Sequence, residues 1–271
     1  HFIEGGWPGS NPKDDEFFRK SKSLKLKHAL ITAFGSTRKV DTAPSKDLNL
    51  KALIDSQAPI ITIVGKASET QVKSALETSL EENLNMIRES VQYLKEHGRR
   101  VFFDAEHFFD GYLSNPDYAL ASIRAAENAG AEYIVLCDTN GGTLPGEIQE
   151  IVGKIAEETS VPLGIHCHND SEMAVANSLA AVQAGVSQIQ GTINGYGERC
   201  GNTNLLSIIA NLKLKLGVDI VTDEQLETLT EVHRYVSEIA NMPPNRYQAY
   251  VGSSAFSHKG GLHASAMVKD E

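Results

Sequence analysis

Apolar and polar positions follow two rhythms along this chain. Seven short runs rich in β-branched and aromatic residues lie at 2–4, 29–34, 60–64, 100–104, 133–137, 163–168 and 188–193. Most are continuous rather than alternating, as expected of parallel strands buried on both faces. Between and after them, helical spacing is found at roughly 13–22, 46–56, 68–97, 116–130, 144–158, 170–185 and 202–216. Asn115-Pro116 and Thr143-Leu144-Pro145 mark helix starts, and Gly98, Gly130, Gly185 and Gly217 mark helix stops. The pattern is a serial βα chain.

An open doubly wound sheet and a barrel both satisfy this order, and the polar residues favour the barrel. Glu4, Asp104, Glu106, Asp138, Thr139, His166, His168 and Asn194 follow the C-terminal ends of many different strands. Barrel enzymes place their chemistry at that mouth, whereas a doubly wound sheet gathers it at one switch point. The predicted fold is therefore α/β, a (β/α)8 TIM barrel over residues 1–217 that lacks its first strand. Beyond 217 the rhythm changes. Residues 222–241 read as a helix ended by Pro243-Pro244, and 252–265 are Gly-rich with His258 and His263. Residues 218–271 are read as a helical and Gly-rich linker.

Composition narrows the partners. The chain has 271 residues, is 41% hydrophobic and carries a net charge of −10. That charge argues against nucleic acid, and no apolar run reaches the ~18 residues of a membrane span. The first residues have no basic or long apolar region of a secretory signal. The chain opens on His1 rather than Met, which is read as a fragment or processed form. Cys137, Cys167 and Cys200 are odd in number and lack C-x-x-C spacing, so a reducing cytoplasm is expected.

The strongest chemical signal is His166-Cys167-His168 at the end of one strand, followed about thirty residues later by the turn Gly195–Asn202. Histidines at i and i+2 share a strand face, and neutral imidazoles suit a borderline divalent ion. The alternative is a pair of hydrogen-bonded core histidines. Asn202 can offer an amide oxygen to the same ion or cap the next helix. Glu198 and Arg199 can form a structural ion pair or take part in chemistry. Asp104 and Glu106 are either acid–base groups or a solvated strand end. Thr139 lies in a small-residue turn that can hold a carboxylate or cap a helix. Trp7 in the loop after Glu4 is read as a cover for the core. His258 and His263 are candidate bases, with inert surface positions as the alternative.

Taken together, Ile3–Asn11, His166–Asp170 with Ala174–Ser178, Gly191–Asn202 and His258–His263 resemble the metal-dependent acyl-transferring synthases that make 2-isopropylmalate, homocitrate and citramalate. The stretches Gly6–Pro12 and Ile31–Arg38, with Cys200, are most similar to the long-type citramalate synthases. The resemblance implies condensation of acetyl-CoA with a 2-oxo acid, pyruvate in the citramalate case, followed by thioester hydrolysis, in isoleucine biosynthesis. It implies a divalent ion (Zn, Mn or Mg) on His166, His168 and Asn202, and Glu106 and His263 as catalytic groups. It further assigns Thr139, Asp104 and Glu4 to the 2-oxo acid and Arg199 and Asn204 to acetyl-CoA, in a cytoplasmic homodimer. The family's opening strand, with an Arg-Asp pair that supplies another ligand, is not found before His1. This polypeptide by itself is therefore expected to be inactive or nearly so. The alternatives are a 2-isopropylmalate or homocitrate synthase, a related lyase acting on a hydroxyacyl-CoA, and a non-catalytic metal- or metabolite-binding barrel.

Overall fold

A computed structural model describes residues 1–258 and 260. The chain divides into two compact units, His1–Gln190 and Gly191–Glu271.

The first unit is a seven-stranded parallel sheet whose strand order follows the chain, β1-β2-β3-β4-β5-β6-β7. The strands are β1 (Phe2–Glu4), β2 (Leu30–Ser36), β3 (Ile60–Lys66), β4 (Arg100–Glu106), β5 (Tyr133–Asp138), β6 (Leu163–Cys167) and β7 (Gln188–Gln190). A doubly wound sheet would reverse direction partway, and this one never does. It has the strand order of a barrel wall.

Side chains alternate across the sheet. Ile61, Ile63, Val101, Phe103, Ile134, Leu136, Ile165 and Cys167 join the helices in one buried cluster. The other face carries the aromatic row Phe2, Phe102 and Tyr133, with edge-on ring pairs at 5.1 and 5.0 Å. Above that row, on the same face, come Asp104 and then His166 and Gln190, placed by the registers Asp104↔Val135, Cys137↔His166 and His166↔Gln190.

The helices of this unit are α1 (Pro12–Ser21), α2 (Leu48–Asp55), α3 (Glu69–Ser74), α4 (Leu80–Glu96), α5 (Phe108–Ser114), α6 (Pro116–Asn128), α7 (Pro145–Glu158) and α8 (Ala174–Gln183). Gly98, Gly130 and Gly185 follow helices with positive φ, as does Gly217 in the second unit, the conformation that ends a helix most readily in glycine. Trp7 lies edge-on to Phe34 at 5.5 Å and donates to Asn49 at 2.9 Å.

Three expectations are corrected. The helix over 68–97 is broken, because Ser79 caps a new helix by accepting from the Glu82 N–H at 3.0 Å, just after Glu77 turns at φ 52. A short helix, α5, was not expected; it starts directly after His107, whose φ is 57. The last strand ends at Gln190 rather than 193, since Ile193–Gly195 forms a 3-10 turn.

The second unit contains α9 (Leu205–Leu214), α10 (Asp223–Glu227) and α11 (Leu229–Ile239). The helix expected over 222–241 is therefore two helices. Leu206, Ala210, Leu229 and Val251 form its core. Asn194, expected at the barrel mouth, is instead committed to α11. Its Oδ1 lies 2.7 Å from the His233 Nδ1, and its Nδ2 donates to the His233 carbonyl at 3.1 Å. Among the described residues no helix is long and apolar enough to cross a membrane.

Candidate active site

In the first unit, Leu163, Ile165 and Cys167 face the helices, so His166 faces the opposite side. His168 lies one residue beyond β6, and its backbone N–H donates to the Asp138 carbonyl at 3.2 Å. The two imidazoles meet through their Nε2 atoms, 3.3 Å apart. Burial, reinforced by His168 and opposed by a hydrogen bond to Gln190, pushes His166 down to about 4. It is therefore neutral at physiological pH. Two nitrogen ligands on one divalent ion, each at ~2.1 Å with an angle near tetrahedral, lie ~3.4 Å apart. The pair is thus spaced as two ligands of one ion are. Among the described residues no group of three or more His, Cys, Asp or Glu side chains is gathered for a metal, so further donors would have to be of another kind or come from elsewhere.

Three carboxylates of the same unit, Glu4, Asp104 and Glu106, lie near enough to one another for their charges to interact. Asp104 is 4% exposed; burial, then the charges of Glu4 and Glu106, push it well above the usual carboxylate range. Glu4 has exposed surface, yet enough protein encircles its carboxyl to push it up to about 7. Glu106 is held by Lys66, whose Nζ is 2.5 Å from its Oε2. Thr139 accepts from the His107 N–H at 2.8 Å. Its loop is fastened from below. Thr143 donates to buried Asp138 at 2.8 Å, and Asn177 donates to the Thr143 carbonyl at 2.8 Å.

Lys66, Gln190 and His107 were not singled out from the sequence. Lys66 had a usable signal, since it ends an apolar run on the same side as the other strand-end residues. Gln190 had one too, as the alternation Gln188-Ile189-Gln190 puts its amide on the His166 face.

In the second unit, the turn after the 3-10 segment closes on itself: Asn202 N–H donates to the Gly195 carbonyl at 3.0 Å and Gly201 N–H to the Glu198 carbonyl at 2.8 Å. Asn202 does not cap α9. That role belongs to Asn204, whose Oδ1 accepts from Leu206 N–H at 3.1 Å. The Asn202 Oδ1 is buried and has no hydrogen-bond partner among the described residues, a costly state unless something electropositive meets it. Gly197 makes the space for this amide, as a Cβ there would lie 2.8 Å from the Asn202 Cγ. Arg199 sits in the same turn at φ 53. Cys200 is exposed, and Cys137 and Cys167 are buried. His263 lies outside the described residues.

The HMGL-like family model matches residues 1–236. The chain belongs to the HMGL-like family. It is 57% identical over 99% of its length to the (R)-citramalate synthase of Geobacter sulfurreducens. It is 58% identical over its full length to that of Aquifex aeolicus. It spans about half the length of these curated relatives, 51% in each case. The HMG-CoA lyase of Bacillus subtilis shares its fold with a TM-score of 0.72, at 17% identity, covering 90% of this chain and 82% of the lyase.

As an HMGL-like chain it carries a test of the Asn202 cradle. Gly197 lies outside the left-handed region, so Gly197→Ala is tolerated by the backbone but displaces the Asn202 amide. The full-length variant should bind a divalent metal about tenfold or more weakly with a nearly unchanged Tm. Calorimetric titration with Mn or Zn reads this, and wild-type affinity would exclude a part for Asn202 in metal binding.

Proposed function

We propose that the full-length protein condenses acetyl-CoA with pyruvate and hydrolyses the thioester, releasing citramalate and CoA. The observation that carries this reading is the 57% and 58% identity to two (R)-citramalate synthases along essentially all of this chain. His166, His168 and Asn202 would hold the divalent ion; neutral imidazoles and an amide oxygen admit Zn, Mn or Mg. When bound, the ion supplies Lewis-acid polarisation of the keto group.

The chain's own residues do the rest. Thr139, its oxygen anchored by His107, binds the substrate carboxylate, with Asp104 and Glu4 lining the same side. Glu106 is steadied by Lys66 and acts as the polar partner beside the reacting carbons. A base, assigned to His263, takes a proton from the acetyl methyl group. The carbanion attacks the keto carbon, and hydrolysis of the thioester draws the reaction forward. Arg199 and Asn204 contact the coenzyme; for Asn204 the contact falls to the part of the side chain that does not cap α9. A cytoplasmic homodimer is the proposed working form.

The test is free-thiol release by the full-length protein with acetyl-CoA and a panel of 2-oxo acids. One methylene in a pocket is worth about 1–3 kcal/mol, so pyruvate should exceed 2-oxoisovalerate by ~100-fold or more in kcat/KM. Preference for 2-oxoisovalerate would replace this reading with a 2-isopropylmalate synthase. No thiol release with any 2-oxo acid would favour a non-catalytic barrel.

A further inference from the structure

We propose that Gln190 is a positioning residue that fixes the tautomer of His166, leaving the His166 Nε2 as an electron-pair donor toward the metal position. The functional consequence rests on the reading of His166 as a ligand; the tautomer itself does not.

The geometry runs across three strands. Gln190 on β7 stands opposite His166 on β6 in the sheet register. Its Oε1 is 2.8 Å from the His166 Nδ1, and its Nε2 donates to Asp104 Oδ1 on β4 at 3.0 Å. An amide has one accepting and one donating end, so what holds one end decides what the other presents. Asp104 is 4% exposed; whether ionised or protonated on Oδ2, it meets the amide NH2 through Oδ1 as an acceptor. That turns the NH2 group toward Asp104 and the carbonyl oxygen toward His166. A carbonyl oxygen can only accept, so His166 must carry its hydrogen on Nδ1. With one hydrogen on a neutral ring, Nε2 keeps its lone pair, and this is the atom that faces His168 at 3.3 Å.

Glutamine suits this position better than glutamate. A carboxylate there would put an oxygen where the amide NH2 now donates to Asp104. Two carboxylates that close cannot both ionise, so they would share a proton. The neighbouring Gln188 makes a useful contrast. It has the same side chain on the same face two residues earlier, but its Oε1 is buried without a hydrogen-bond partner among the described residues. Placement on β7 alone therefore does not make the bridge; the alignment with both His166 and Asp104 does.

The experiment uses the metal-free full-length protein labelled with 15N-histidine. Two-bond proton–nitrogen correlation spectra read which ring nitrogen of His166 is protonated, and H166A assigns its signals. The wild type should show hydrogen on Nδ1; hydrogen on Nε2 in the wild type overturns the proposal without any variant. In Q190M the tautomers should mix, and Mn or Zn affinity should fall about 10- to 100-fold, the usual cost of losing an outer partner of a ligand. Q190E keeps an acceptor for Nδ1, so it should hold the wild-type tautomer and recover more of the affinity than Q190M. A wild-type tautomer and affinity in Q190M would overturn the proposal. Should Q190M not fold, D104N replaces it. The amide introduced by D104N can meet either end of the Gln190 side chain, so mixed tautomers are expected, and an unchanged tautomer counts against the proposal. If H166A binds metal as the wild type does, the ligand reading fails, while the tautomer measurement still judges Gln190.

Discussion

Under the proposed function, His168→Ala in the full-length protein should abolish stoichiometric metal binding and lower kcat for citramalate formation by ~1000-fold or more. The expectation follows from the size of the effect being removed. Lewis-acid polarisation is worth several kcal/mol of transition-state stabilisation, and each 1.36 kcal/mol is tenfold in rate. The fold should not suffer in proportion. His168 lies beyond the end of β6, is only partly buried, and is tied to Asp138 through its backbone N–H, which alanine retains. Metal content by elemental analysis, thiol release and thermal unfolding together read the outcome. A variant that keeps both metal and activity would return the histidine pair to the alternative of a hydrogen-bonded core pair.

Phe103→Ala should destabilise the protein by ~3–5 kcal/mol, the usual cost of emptying a buried phenylalanine site. Phe103 is fully buried in the layer between sheet and helices. It is aligned with Ile63 on β3 and Ile134 on β5. Its ring also lies where a Cβ on Gly65 would approach its Cε2 to 2.7 Å, so the neighbouring strand is already cut back to admit it. The surrounding strands are hydrogen-bonded on both sides and cannot close the gap, so the cavity should persist. A loss of this size is a large share of a typical domain's ~5–15 kcal/mol. Urea unfolding followed by circular dichroism measures it, and a loss under ~1.5 kcal/mol would mean that the layer repacks around the cavity.

Strands β3 to β6 were legible because they are parallel and mostly buried on both faces, which writes each of them as an apolar run. All seven strands begin within one residue of the expected position, and β7 stops early. Helix ends were legible where glycine or an Asn-Pro pair marked them. The interruption at Ser79 was not, because Ala75–Thr78 has no glycine or proline and its helical spacing continues across the break. Nor was α5, which begins at a left-handed histidine instead of a capping residue. The histidine pair was legible as chemistry because i and i+2 on a strand share a face whatever the rest of the fold does. The same local logic failed for Asn194. Its position after a strand suggested the mouth, while its amide pairs with α11 in the second unit.

By itself, the sequence determined the serial βα order, the face on which His166 lies and the Gly-rich turn that presents Asn202. Each of these depends on periodicities of two or 3.6 residues, or on the backbone preferences of single residues, and such features are written locally. Only the tertiary structure decided that Lys66 meets Glu106, 40 residues away. It alone decided that Gln190 reaches across to Asp104, 86 residues away. Those partners are selected by strand order and register, which hydrogen bonds between distant segments set. No property of either residue's own neighbourhood in the chain encodes them.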